Sequence, residues 1–191
     1  MSTHDPYTLP PDLPIPEDDG AAAPLLGSRV PSVVLESSQG PVDLADVCAE
    51  RGVVYVYPRT GRPDEPLPPG WDEIPGARGC TPQSCGFRDH AAELAAFGAR
   101  VAGVSAQTLA EQVEFAERNR MPFPVCADPE LRLREALGLP VFEAAGMTLY
   151  RRLAWIAERG VVVKVFYPVF PPDRNADDVV DWLRMRSTTA E

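Results

Sequence analysis

The placement of proline divides this chain before any other feature does. Of its 191 residues 22 are proline, and 13 of these crowd into two stretches, residues 1–31 and 58–75. A proline has no N–H to give a helix or a sheet, and it biases the preceding residue away from helix. The first stretch (Leu9-Pro10-Pro11-Asp12-Leu13-Pro14-Ile15-Pro16) therefore reads as an extended N-terminal arm over residues 1–24. It is either disordered or laid along the domain or a partner chain. The second stretch, residues 58–79, reads as a long loop inside a domain of residues 25–191. Loops of this length without secondary structure are uncommon and often functional, although a plain surface insertion fits the composition about equally.

The rest of the chain alternates strand and helix signals. Residues 32–36 and 42–44 read as short strands about a Ser38-Gln39-Gly40 turn, and 44–51 as a short helix ended by Gly52. Val53-Val54-Tyr55-Val56-Tyr57 is a continuous apolar, β-branched and aromatic run, the pattern of a strand buried on both faces. A helix over 82–97 closed by Gly98, a strand over 100–105, and helices over 109–118 and 130–137 follow. A hairpin of 152–156 and 161–167 and an amphipathic helix over 175–186 complete the order β-β-α-β-loop-α-β-α-α-β-β-α. This is an α/β chain with a central sheet covered on both faces.

Charge and cysteine usage narrow the function. With 18 Lys+Arg against 28 Asp+Glu the net charge is −10, which argues against a nucleic-acid partner, since phosphate binding needs a concentrated basic surface. No apolar run approaches the ~20 residues needed to span a bilayer. The first residues have neither a basic nor an apolar leader segment, so a cytoplasmic protein is expected. Of the two histidines, His4 and His90, the first falls in the arm, and no Cys/His set has zinc spacing, so neither metal nor cofactor is expected. The cysteines are Cys48, Cys80, Cys85 and Cys126. In a chain of this kind the close pair points to redox chemistry, with Cys48 and Cys126 as core thiols.

Around that pair the chain reads Gly79-Cys80-Thr81-Pro82-Gln83-Ser84-Cys85-Gly86-Phe87-Arg88-Asp89. Thr81 suits an N-cap and Pro82 a first helical position, so Cys80 is expected at or just before a helix N-terminus. There, unpaired N–H groups and the helix dipole favour a thiolate, the reactive form. In one regular helix the Cα atoms of Cys80 and Cys85 would stand ~8–9 Å apart, beyond the ~7 Å limit for a disulfide. Two readings fit the spacing: a switch that bonds only when the first turn unwinds, or two buried thiols that never meet.

The arrangement of strand, Tyr57-Pro58, loop and Gly79-Cys80-Thr81-x-x-x-Cys85-x-Phe87-Arg88-Asp89 resembles the peroxiredoxins, in particular the peroxiredoxin Q or bacterioferritin-comigratory branch. The strand over 101–105, the segment Phe123-Pro124-Val125-Cys126-Ala127-Asp128-Pro129 and the strand beginning Arg152-Leu153-Ala154-Trp155 resemble later segments of that branch, in the same order. The resemblance implies a thioredoxin-like fold with a central mixed sheet. It also implies reduction of hydrogen peroxide or organic hydroperoxides, recycled by a thioredoxin-like or glutaredoxin-like reductant, in a monomer or homodimer. Carried over by position, Cys80 is the peroxidatic cysteine, Cys85 the resolving cysteine with which it forms a disulfide, and Arg152 (or Arg151, by a gap-free count from Gly160) the thiolate- and peroxide-stabilising arginine.

One departure stands out. The family carries a hydroxyl residue three before the peroxidatic cysteine, and here that position is Ala77; the loop is also 15 residues longer than the motif requires. Thr60 or Thr81 could supply the hydroxyl. Loss of one positioned donor costs about 10²–10³ in rate, so slow or substrate-altered peroxidase activity is expected. The alternatives on the same fold are a thiol–disulfide oxidoreductase or dedicated thiol oxidant with the loop as lid, and a redox sensor that does not turn over.

Overall fold

The computed structural model describes residues 5–189. In chain order the strands are β1 (Val34–Ser37), β2 (Val42–Asp43), β3 (Arg51–Val56), β4 (Arg100–Ser105), β5 (Val125–Ala127), β6 (Val141–Ala144), β7 (Met147–Tyr150), β8 (Leu153–Glu158) and β9 (Val161–Phe166). The helices are α1 (Leu44–Val47), α2 (Cys80–Asp89), α3 (Ala91–Ala96), α4 (Leu109–Asn119), α5 (Arg132–Leu137) and α6 (Asn175–Thr189). A seven-stranded sheet runs β2-β1-β5-β4-β3-β8-β9. It is mixed: β3–β4 and β4–β5 pair parallel, the rest antiparallel.

The central strands show why the pattern works. Side chains alternate across a sheet, so β3 sends Val54 and Val56 into one core and Val53 and Tyr55, followed by Tyr57, into the other. The first core is covered by α1 and α5, through Leu44, Val47 and Leu133. The second is covered by α2, α4 and α6, through Phe87, Phe115, Val179 and Leu183. Cys80 belongs to the second.

Several local expectations are corrected. The helix expected over 44–51 stops at Val47, and Gly52 lies inside β3. Glycine is needed there because a Cβ would sit 2.7 Å from the Cys48 sulfur. The single helix expected over 82–97 is two, broken at His90, whose imidazole bridges Glu93 and Asp177 and so ties the corner to α6. It also starts two residues early: the cap is Gly79, and Thr81 is a buried helical residue. The expected order lacks β5 and the separate hairpin β6–β7, closed by Ala145 and Gly146, both at positive φ. His4 lies outside the described residues.

Residues 58–79 carry one short 3-10 turn, Trp71–Glu73. They pack against β6–β7, with Trp71, Ala77 and Leu149 as a small core of their own. The arm from residue 5 to residue 22 contributes neither strand nor α-helix.

Candidate active site

The site is built where the long loop meets α2. Gly79 has φ +103°, a conformation that side chains resist, and a Cβ there would meet Pro172 at 2.3 Å and Leu9 at 2.9 Å. Glycine at this position lets the chain turn under both neighbours and start α2 at Cys80. Cys80 is therefore the first helical residue, 3% exposed.

Arg152 enters from the residue before β8 and is also 3% exposed. Its Nη2 lies 3.3 Å from Cys80 Sγ. The same nitrogen faces the carbonyl oxygens of Gly76 at 3.2 Å, Ala77 at 3.2 Å and Arg78 at 2.9 Å. Nη1 donates to Gln83 Oε1 at 2.6 Å, and Gln83 Nε2 donates to Asn175 Oδ1 at 2.9 Å. The guanidinium is thus fixed by a chain that runs through α2 to the start of α6. Among the described residues no carboxylate forms an ion pair with it. Burying a cation among neutral acceptors is expensive unless an anion completes the set. Of the groups hydrogen-bonded to it among the described residues, the Cys80 sulfur is the one that can become an anion.

Cys85 is half-buried on the same helix, with Sγ 3.8 Å from Asn119 Oδ1. Burial pushes its thiol up, partly offset by the Arg88 guanidinium. All four cysteines are free thiols. With both residues inside α2, the regular-helix separation of ~8–9 Å applies, so a bond between them requires the first turn to unwind.

The other sequence candidates fall elsewhere. The Arg151 guanidinium lies 5.9 Å from the Phe142 ring centre, turned towards β6. Thr60 is committed to Gln107: its N–H and Oγ1 donate to Gln107 Oε1 at 2.9 and 3.1 Å, which pins the loop to the start of α4. Ala77 is buried, with its methyl against Trp71 and Leu149 and its carbonyl accepting from Cys80 Sγ at 3.6 Å. At the hydroxyl position of the motif, then, the backbone faces the sulfur. Tyr55, Tyr57 and Phe123 are core, whereas Tyr167 borders a small cavity beside Arg152. Sequence reasoning missed Gln83, Asn175 and Arg78. A glutamine about one helical turn after a candidate nucleophile was the available signal for the first.

With this geometry in place, comparison decides the family. The Redoxin family profile matches residues 25–180. The chain belongs to the Redoxin family. Within it the relatives are peroxiredoxins of the Q and bacterioferritin-comigratory branch. Chloroplastic peroxiredoxin Q of Sedum lineare is 29% identical over 175 residues, covering 91% of this chain and 86% of that one. Peroxiredoxin bcp1 of Schizosaccharomyces pombe is 30% identical over 137 residues, 71% of this chain and 61% of that one. Among solved structures, peroxidoxin BcpB of Mycobacterium tuberculosis superimposes with a TM-score of 0.66 at 25% identity, covering 84% of this chain and 96% of that one. The fold is thioredoxin-like, and the chain is a peroxiredoxin-type thiol peroxidase. Among the described residues no helix is long and apolar enough to cross a membrane.

Proposed function

We propose that Cys80 is the peroxidatic cysteine of a thiol-dependent peroxidase, Cys85 its resolving partner and Arg152 the charge that serves both thiolate and peroxide. The carrying observation is the buried Arg152 guanidinium, which has no carboxylate partner among the described residues and lies 3.3 Å from the Cys80 sulfur. A guanidinium in that position can donate to the attacking sulfur and to the peroxide oxygens as charge moves onto the leaving oxygen.

The thiolate attacks one peroxide oxygen and the O–O bond breaks. The departing alkoxide or hydroxide takes a proton from solvent, matching the one the thiol released, and Cys80 is left as a sulfenic acid. The first turn of α2 then unwinds, the Cys85 thiolate attacks the Cys80 sulfur, and water leaves as the disulfide forms. A thioredoxin-like dithiol, or a glutaredoxin-like one, supplies two electrons, restores both thiols and departs as its own disulfide. Both cysteines sit on one helix, so the cycle needs no second copy and runs in a monomer or a homodimer. It needs a reducing compartment. We assign the cytoplasm, which suits four free thiols, whereas the plant relatives are named as chloroplastic.

The test is peroxide consumption with a thioredoxin system as reductant, followed by mass spectrometry of the oxidised protein. Turnover that is lost in Cys80→Ser, together with a peptide linking 80 to 85 in the parent, is the expected result. Turnover that survives Cys80→Ser, or an oxidised protein that never links the two, overturns the reading.

A further inference from the structure

The arm is tied across the site along its length. Arg78 Nη2 donates to the carbonyls of Asp5 at 2.9 Å and Thr8 at 3.2 Å. Arg118 Nη1 donates to Tyr7 Oη at 3.1 Å, and Tyr167 Oη donates to Asp19 Oδ1 at 2.8 Å. Between these ties the Leu9 side chain lies over Gly79 and the Pro16 ring over Gly76. The arm thus passes over the very backbone, 76–79, that carries Cys80 and accepts from Arg152. Its prolines pre-set φ, so holding it there costs less conformational entropy than for an ordinary segment.

Two small cavities flank Arg152, and the arm walls both. One is closed by Leu13 and Pro14 opposite Arg152, Val169 and Pro172. The other is closed by Pro16 and Glu17 opposite Arg152, Arg151 and Tyr167. Both cavities are narrow. Without Leu13, Pro14, Pro16 and Glu17 both spaces would lose their outer wall and widen beside Arg152.

We infer that residues 9–17 form the outer wall of the peroxide entrance and set its specificity, admitting hydrogen peroxide and excluding bulky organic hydroperoxides. The inference rests on Cys80 being the peroxidatic cysteine. Among the described residues none before Leu25 belongs to the core clusters, and residues 5–17 add no strand to the sheet.

The experiment compares second-order rate constants for oxidation of Cys80 by hydrogen peroxide and by cumene hydroperoxide. It uses the full chain, a variant lacking residues 1–17, and a full-length L13G/P14G/P16G variant whose fold is checked by circular dichroism and thermal unfolding. Shape discrimination in an apolar site is worth about 10–200-fold. The truncation is therefore expected to speed the cumene hydroperoxide reaction at least ~10-fold relative to hydrogen peroxide. The triple variant is expected to move the ratio the same way, and it carries the test if the truncation does not fold. An unchanged ratio in folded variants that still react with hydrogen peroxide overturns this inference alone. Failure of the full chain to react at Cys80 with either peroxide overturns the functional reading beneath it.

Discussion

The two faces of the sheet each bury cysteine, under opposite conditions. On one face Cys48 and Cys126 are fully buried in the cluster of Val54, Val104 and Trp155. Burial pushes Cys48 up to about 11 and Cys126 up to about 12. On the other face Cys80 is nearly as inaccessible, yet a guanidinium donates to its sulfur. Burial by itself therefore makes a thiol inert. The same burial beside a positive charge removes competing water and strengthens that charge's hold on an anion. The cysteine proposed as peroxidatic and the two inert ones differ in their neighbour, not in their depth.

The largest test of that contrast removes the neighbour. Arg152→Lys keeps a charge but loses the planar fork that serves Gln83, three carbonyls and the sulfur together. The rate of Cys80 oxidation is expected to fall about 10²–10³-fold. A circular dichroism melt separates this from unfolding, and a folded variant with the parental rate would leave the two faces without their distinguishing feature. Next in size is selectivity among the four thiols. At pH 8 a thiol of pKa about 11–12 is ionised in roughly one molecule in 10³–10⁴. Limited hydrogen peroxide followed by a sulfenic acid trap and peptide mass spectrometry should therefore mark Cys80 and leave Cys48 and Cys126 unmodified.

A third expectation concerns Ala77. Its methyl faces Trp71 and Leu149, so the hydroxyl of Ala77→Thr would enter an apolar cluster. The expected result is a loss of about 1–3 kcal/mol in stability with no gain in peroxidase rate. A faster enzyme would show that the hydroxyl reaches the sulfur after all.

The elements were also unequally legible in the sequence. β3 and β4 could be read because a strand buried on both sides is a continuous apolar run. β6 and β7 could not: they are short and largely half-exposed, and their Ala145-Gly146 turn lacks the usual Asn-Gly or Asp-Gly signal. Cys80 and Cys85 stood out by spacing, whereas the start of α2 was misread. Thr81-Pro82 imitates a cap, whereas the cap falls at Gly79, where Pro172 and Leu9, remote in sequence, leave no room for a Cβ. Gln83 and Asn175 are 92 residues apart, and no local pattern pairs them. The arm's course is set by residues remote in sequence, Arg78 holding the Asp5 and Thr8 carbonyls, Arg118 holding Tyr7 and Tyr167 holding Asp19, so composition left disorder and docking open.

The smallest effect concerns stability against pH and applies to the inert face. Both thiols start from 9.0 and are raised by desolvation in the folded chain. Below about pH 9 they are protonated in the folded and unfolded states alike, and their contribution is fully present. As pH rises towards 11–12 the unfolded chain releases these protons while the folded chain keeps them. The unfolded state then binds fewer protons, so stability falls with pH. The slope is at most about 1.4 kcal/mol per pH unit for each thiol. Urea unfolding at pH 8, 9 and 10 should show little change over the first step and a decline over the second. In Cys126→Ala the decline should be shallower, whatever the variant's absolute stability, because a cavity shifts the level of the curve and not its pH dependence. Equal slopes for the two proteins would mean that the Cys126 thiol ionises as readily inside the fold as outside it, and depth alone would no longer account for the silence of that face.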